Sequence, residues 1–205
     1  LGAERVLEIV KRELQGRTEF LAQNIRSADF GDEVFAPYTM RTMNGVAVAI
    51  IGQAYPYMPI ANPRYFVADW NFGIQEELLQ KTVEAARGKG AQAVVLLSHN
   101  GMDIDLKLAS RVRGIDAILG GHTHDGVPRP VIVGNGGGKT LVTNAGSNGK
   151  FLGVMDLEVK GGKVVARALK HYLPNYDVFD EVRQFLRGGV QGPFDAGALR
   201  IGAPI

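Results

Sequence analysis

Two short apolar runs that each end in histidine constrain the fold of this chain more than any other feature. The run VVLLSH (94–99) ends at His99, and the run AILGG (117–121) leads directly into His122 and His124. Continuous apolar runs of this length are typical of strands that are covered on both faces. Because ligands collect where the carboxyl ends of such strands meet, we expect the three histidines to lie close together.

The segments around these runs alternate between helical and extended patterns, which predicts an α/β fold. Asn44-Gly45, within 38–52, and Gly161-Gly162 predict two hairpin turns. The stretch 53–74 has no clean periodicity and holds the single tryptophan, so we expect a long loop that is functional or packed as its own unit. Helices are predicted over 2–15, 74–90, 103–112 and 180–187, and strands over 20–25, 93–99, 115–125 and within 140–173.

The composition indicates one ordinary globular domain. The chain has 205 residues, of which 45% are hydrophobic, and a net charge of +2 with both signs interspersed. No long basic run marks a nucleic-acid or anionic membrane surface, so we expect neither partner. There is no cysteine, which excludes thiolate nucleophiles and cysteine-ligated zinc.

A metal centre is the hypothesis that best accounts for the histidines. A single histidine at a strand end is more often a hydrogen-bonded structural residue, but three of the four histidines stand at two strand ends beside glycines. In an ideal strand the side chains of His122 and His124 would lie on the same face about 7 Å apart, and in a turn that begins with glycine they could serve two ions a few ångströms apart. His171 lies in a basic strand and is interpreted as a surface residue.

The acidic residues near the motifs do not complete such a centre. Two divalent ions close together repel each other, so they need anionic ligands between them. Asp103 and Asp105 fit better as the opening of the next helix. Asp125 could accept a hydrogen bond from the second nitrogen of a ligand imidazole. Because the chain begins at Leu1 and not at methionine, we expect the natural protein to extend N-terminally and to supply the carboxylates, and we expect this chain alone to be inactive as a hydrolase.

The two histidine motifs resemble a known family. LLSHNG (96–101) followed by GGHTHD (120–125) is similar to the second half of the calcineurin-like metallophosphoesterases, in their 5′-nucleotidase branch. Three longer segments, 56–74, 94–126 and 141–159, narrow the resemblance to the SoxB-type thiosulfohydrolases of bacterial sulfur oxidation. The resemblance covers residues 1 to 173 and implies part of an α/β/β/α sandwich with mixed sheets. Residues 174–205 are interpreted as a helix and a Gly/Pro-rich tail or linker.

The resemblance implies a function and a set of ligands. His99 and His122 match ligands of one metal ion and His124 a ligand of a second, and the ions would be manganese. The implied reaction is hydrolysis of a cysteine S-thiosulfonate on a carrier protein of the SoxYZ type, in the periplasm, by a monomer that releases sulfate. Beyond the metal ligands, this chain offers no separate catalytic residue.

Several assignments remain open at this stage. Asn144, Ser147 and Asn148 could donate hydrogen bonds to a sulfonate, or they could form an ordinary turn between strands. Arg64 could line a channel for the carrier, or it could pack within a long loop. The function could also be that of a 5′-nucleotidase-type phosphoesterase, or of a non-catalytic module that binds a partner.

Overall fold

The computed structural model describes residues 2–148, 151–172 and 198–203, with side chains described as far as residue 165. Its strands are β1 (Arg26–Ser27), β2 (Tyr38–Met43), β3 (Val46–Gln53), β4 (Trp70–Asn71), β5 (Ala93–Ser98), β6 (Ala117–Gly120), β7 (Val131–Asn135), β8 (Gly138–Asn144), β9 (Leu152–Lys160), β10 (Lys163–Tyr172) and β11 (Ala198–Ala203). Its helices are α1 (Ala3–Glu8), α2 (Met58–Ala61), α3 (Arg64–Val67), α4 (Glu76–Gly88) and α5 (Met102–Arg111), and α1 continues into a π-helical turn at Ile9–Glu13. Among the helices of the described residues, none combines the length and apolar character that crossing a membrane requires.

The central sheet has six strands in the order β2-β3-β5-β6-β8-β7. The four inner strands run parallel, and β2 and β7 pair with them antiparallel at the two edges. All four parallel strands therefore end at the same edge of the sheet, at Gln53, Ser98, Gly120 and Asn144. The predicted α/β fold with a mixed sheet is confirmed.

Apolar layers cover both faces of this sheet. On one face, Leu79 and Val83 of α4 and Leu108 of α5 join the buried side chains of the inner strands. On the other face, Met155 and Leu157 of β9 are fully buried against the opposite side of the same strands. This two-sided burial explains why β5 is a continuous apolar run in the sequence.

The edge of the sheet opposite the strand ends is held by one half-buried ion pair. The Arg87 guanidinium at the end of α4 donates to Asp116 Oδ2 at 2.6 Å, and Val94 N donates to the same oxygen at 2.8 Å. Arg87 also donates to the carbonyl oxygens of Ala91 and Gly114. The pair thereby links the end of α4 to the beginnings of β5 and β6 with charge-assisted bonds.

Most predicted elements are confirmed, including the turn at Asn44-Gly45, where φ is 50° and 78°. The strand predicted over 20–25 is wrong: Leu21 makes only an isolated bridge with Ala36. The physical reason is that Asn24 binds the chain after β3 through its side chain, accepting from Ala54 N at 2.8 Å, and this competes with a strand ladder.

Two other segments differ from the prediction. The long stretch 53–74 contains α2, α3 and β4, so it is not a loop throughout. Its Trp70 packs against Phe35, and β4 pairs with β1, so this part packs against the preceding segment and not as a unit of its own. The tail predicted as a linker contains β11, which pairs with β9 because Leu199 and Ile201 alternate with smaller or polar residues. The helix predicted over 180–187 and the boundary at 173/174 lie outside the described residues.

We expect Gly52→Ala to lower the free energy of unfolding by about 3 kcal/mol. A Cβ at Gly52 would lie 2.1 Å from the carbonyl oxygen of Leu21, which is backbone and cannot rotate away. Gly134→Ala in β7 is the matched control, because a Cβ there meets nothing within 4 Å. Urea unfolding of both variants tests the expectation, and equal stability of the two would contradict it.

Candidate metal centre

His99 and His122 come together at the edge where the parallel strands end. Their ring centroids lie 5.2 Å apart with an interplanar angle of 65°. An imidazole nitrogen lies about 2.1 Å from an ion that it binds, so two rings sharing one ion have centroids roughly 5 Å apart. The spacing of the two rings is compatible with one shared divalent ion, and metal binding by this pair stays a prediction.

The backbone conformation of the GGHTHD turn (120–125) orients the His122 ring toward His99. His122 and His124 have φ values of 72° and 58°, in the left-handed region that few residues other than glycine adopt. Such strain at a cluster of metal-binding residue types is typical of functional sites. Gly121 leaves room for the His99 ring, because a Cβ at this position would lie 3.3 Å from His99 Nδ1 and the ring would have to shift by a few tenths of an ångström.

His124 lies in the same turn and close enough to lower the pKa of His99 by its charge. Within the part of the chain that the structure describes, no three His, Cys, Asp or Glu side chains are grouped so that they could hold an ion. His99 and His122 lie close together, while their binding of a metal ion and the convergence of His124 with them stay predictions. The bridging carboxylates also stay a prediction.

The acids near the turn have other partners. Thr123 Oγ1 donates to Asp125 Oδ2 and accepts from Met102 N, so this pair ties the turn to the start of α5. Whether Asp125 also orients an imidazole stays a prediction. The Gly31-Asp32 pair lies in an exposed turn after β1.

Tyr55 is a neighbour of the histidines that the sequence did not indicate. Its ring centroid lies 4.2 Å from that of His122 and 6.2 Å from that of His99. Tyr57 packs edge-on against Tyr55 at 5.7 Å. Tyr55 therefore packs against the His122 ring, and Tyr57 packs against the ring of Tyr55. Tyr55 lies in a stretch without hydrophobic periodicity, so the sequence pattern did not predict its contact with the histidines.

The electrostatics of the centre favour metal binding by His99. Partial burial lowers the pKa of His99, and the positive charges of His122 and His124 lower it further. A lowered pKa keeps the imidazole neutral near neutral pH, which is the form that binds a metal ion.

Asp105 is the second functional candidate that the sequence did not reveal. It lies in the first turn of α5, as predicted, but it is fully buried. Burial raises its pKa to about 6, opposed by hydrogen bonds from Ser98 and Asn100 and assisted by the charge of Asp103. Its Oδ1 accepts from Ser98 Oγ at 2.6 Å and from Asn100 Nδ2 at 3.1 Å.

The residues considered for substrate binding lie in different surroundings. Asn144 is buried at the end of β8, where its Nδ2 donates to Gly121 O at 3.5 Å and its Oδ1 accepts from Gly146 N at 3.2 Å. Ser147 and Asn148 follow in the same loop, and Asn148 has φ 57°. Arg64 is exposed at the start of α3. Their roles toward a substrate stay predictions, with Asn144 placed to support the histidine turn.

His171 lies in β10, where its backbone pairs with Gly153. The strand is as predicted, and the surface position of its side chain falls outside the described side chains.

We expect His122→Ala to weaken Mn²⁺ binding by the complete protein more than Asp125→Ala does. Losing a ligand empties a coordination position, whereas losing a residue that orients a ligand costs about 10–100-fold in affinity. His171→Ala is the control and should leave the affinity unchanged. Titration of metal-stripped protein measures all three, and a loss for His171→Ala as large as for His122→Ala would refute the assignment.

We expect Asp105→Asn to flatten the pH dependence of stability. The folded pKa of about 6 lies above the unfolded value of about 3.9, so the folded state binds this proton more tightly. The free energy of unfolding therefore contains a contribution that is complete below about pH 4 and is lost as the pH rises through about 6, worth roughly 2–3 kcal/mol.

Urea unfolding of the complete protein between about pH 4 and pH 7 measures this contribution. Asp103→Asn, on the exposed side of the same helix, is the matched control: its charge contributes least to the raised pKa of Asp105, so its pH slope should stay close to that of wild type. An unchanged pH slope in Asp105→Asn would show that the buried carboxyl is not the titrating group.

Comparisons with known proteins agree with this fold. No family model matches the chain. The solved structure of the sulfate thiohydrolase SoxB from Thermus thermophilus is 39% identical with a TM-score of 0.76, over 92% of this chain and 34% of that chain. The structure of a 5′-nucleotidase precursor, also from Thermus thermophilus, is 29% identical with a TM-score of 0.68, over 83% of this chain and 37% of that chain.

A sequence relative gives the same result. The 5′-nucleotidase of Diplobatis ommata is 24% identical over 164 residues, which are 72% of this chain and 28% of that protein. This chain thus spans about a third of the length of each of these three proteins. The resemblance predicted from the histidine motifs is confirmed, and the chain belongs to the 5′-nucleotidase branch of the calcineurin-like metallophosphoesterases.

Proposed function

We propose that the protein is a metal-dependent hydrolase that releases sulfate from a cysteine S-thiosulfonate on a carrier protein. The observation that carries the proposal is the similarity to the sulfate thiohydrolase SoxB, which is 39% identical over 92% of this chain. The two nucleotidases compared above are 29% and 24% identical over smaller shares of the chain. The close approach of the His99 and His122 rings supports the metal dependence.

His99 and His122 would hold one divalent ion, and His124 would contribute to a second. Imidazole and carboxylate ligands accept several transition metals, and we propose Mn²⁺. The bound ions would lower the pKa of water and stabilise the charge that develops during the reaction. The imidazoles of His99 and His122, which already lie close together, would reduce the reorganisation that binding requires, and Tyr55 would restrict the access of water to the face of His122 that it covers.

The reaction is a hydrolysis that needs no redox partner. Water would form a new O–S bond to the terminal sulfone sulfur, and the bond between that sulfur and the adjacent sulfane sulfur would break. The electron pair of the broken bond would stay with the sulfane sulfur as a persulfide on the carrier cysteine, and the two protons of water would pass to solvent. Sulfate is released. We propose a carrier of the SoxYZ type, a periplasmic location and a monomeric enzyme, with neither nucleic acid nor membrane as a partner.

A second candidate function is that of a 5′-nucleotidase-type phosphoesterase. The similarity to the nucleotidase precursor from Thermus thermophilus favours it, because the match covers 83% of this chain and includes the same region. A non-catalytic, partner-binding module is the remaining alternative, and such a module need not hold metal ions.

We expect the complete protein to release sulfate from a thiosulfonated carrier and to release little phosphate from AMP. Both assays are run with Mn²⁺, with a chelator, and with the His122→Ala variant as the matched control. Chelation and the variant should each abolish sulfate release.

Chelator-sensitive phosphate release without sulfate release would establish the nucleotidase alternative. Neither activity, together with no bound metal, would support the non-catalytic module. Each of these outcomes would overturn the proposed reaction.

A further inference from the structure

We propose that Asp105 is a positioning residue that fixes both histidine-bearing loops of the metal centre. This inference rests on the proposed metal role of His99 and His122. It assigns to a buried acid a task that is separate from holding the ion. The carboxyl group contacts the residues on both sides of His99 and the backbone at Gly120, two residues before His122.

The first group of contacts fixes the loop after β5. Ser98 and Asn100 stand on either side of His99, and both donate to Asp105 Oδ1, at 2.6 and 3.1 Å. Asn100 N also donates to Ser98 Oγ at 3.2 Å, which closes a small hydrogen-bonded ring. All three side chains of this ring are buried. The backbone on both sides of His99 is therefore held from below.

The second contact is with the turn that carries His122. A Cβ at Gly120 would lie 2.7 Å from Asp105 Oδ2 and 3.1 Å from Thr143 O. The carboxyl group therefore packs directly against the backbone two residues before His122. In the described part of the chain this Oδ2 atom is buried without a hydrogen-bond partner. A buried carboxyl oxygen left unpaired costs stability, which indicates that something other than stability keeps an acid here.

The network extends away from the metal centre into rigid structure. Asn100 Oδ1 accepts from Gln53 Nε2 at 3.2 Å, and Gln53 O accepts from His99 N at 3.0 Å. Gln53 also bonds the side chain of Gln23. Asp105 itself is fixed by α5, whose Leu108 and Ala109 are buried in the core. Helix α5 and strand β3 thus support the histidine loops through this one acid and its neighbours.

The test compares Mn²⁺ affinity in the metal-stripped complete protein for Asp105→Ala, Asp105→Asn and Asp103→Ala. Asparagine retains an oxygen that can accept both hydrogen bonds, whereas alanine retains none. We expect Asp105→Ala to weaken Mn²⁺ binding about 10–100-fold, the size of effect typical of residues that orient ligands. We expect Asp105→Asn to restore most of the affinity, and Asp103→Ala, which is exposed on the same helix, to bind like wild type.

A purely structural role would lower stability without this pattern of affinities. If folded Asp105→Ala binds Mn²⁺ like wild type, or if Asp105→Asn is as impaired as Asp105→Ala, the inference is wrong. If Asp105→Ala does not fold, Ser98→Ala removes one of the two bonds, and wild-type affinity in that variant would equally overturn the inference.

The outcomes distinguish this inference from the proposed function. Mn²⁺ binding that is lost in His122→Ala but unaffected in Asp105→Ala refutes only the positioning role. Mn²⁺ binding by wild type that does not depend on His122 refutes the metal centre, and with it both proposals. If Asp105→Ala binds Mn²⁺ more weakly than Asp105→Asn and Asp103→Ala binds it like wild type, but the complete protein releases no sulfate, the positioning role is supported and the proposed reaction is refuted.

Discussion

The parallel pairing of β5 with β6 is the constraint on which the rest of the centre depends. Val95, Leu96 and Leu97 pair with Ala117, Ile118 and Leu119, so the two strands end at nearly the same level. The residue after β5 is His99, and His122 follows β6 after a single glycine. Because neighbouring strands lie about 4.8 Å apart, two side chains at this level are already within reach of one ion. A slip of the pairing would separate the two rings.

Local features then convert this proximity into a site. Glycines at 120 and 121 let the backbone pass close to Asp105 and to the ring of His99. The left-handed conformation of His122 directs its ring toward His99 and against Tyr55. Each of these features costs stability, since left-handed histidines are strained and a buried acid is desolvated. The well-packed layers on both faces of the sheet provide the stability that such a site requires.

Much of the fold could be predicted because its signals are local. Buried strands appear in the sequence as continuous apolar runs, and the dipeptides Asn44-Gly45 and Gly161-Gly162 indicate hairpin turns. The strand over 20–25 was mispredicted because Gln23 and Asn24 bond β3 and its flank through their side chains. The approach of Tyr55 to His122 depends on contacts between distant segments, which no sequence period records. Asp105 illustrates the same limit. An acid in the first turn of a helix is normally solvated, and only the packing of α5 beneath two loops buries it.

The sharing of one metal ion by His99 and His122 at this edge of the sheet is the central claim. A crystal structure of the complete protein with Mn²⁺, with the ion located by anomalous scattering, tests the claim most directly. We expect one ion bound by a nitrogen of each ring, at distances of about 2.0–2.3 Å. An ion bound away from both rings, or rings turned apart in the metal-loaded protein, would contradict the claim.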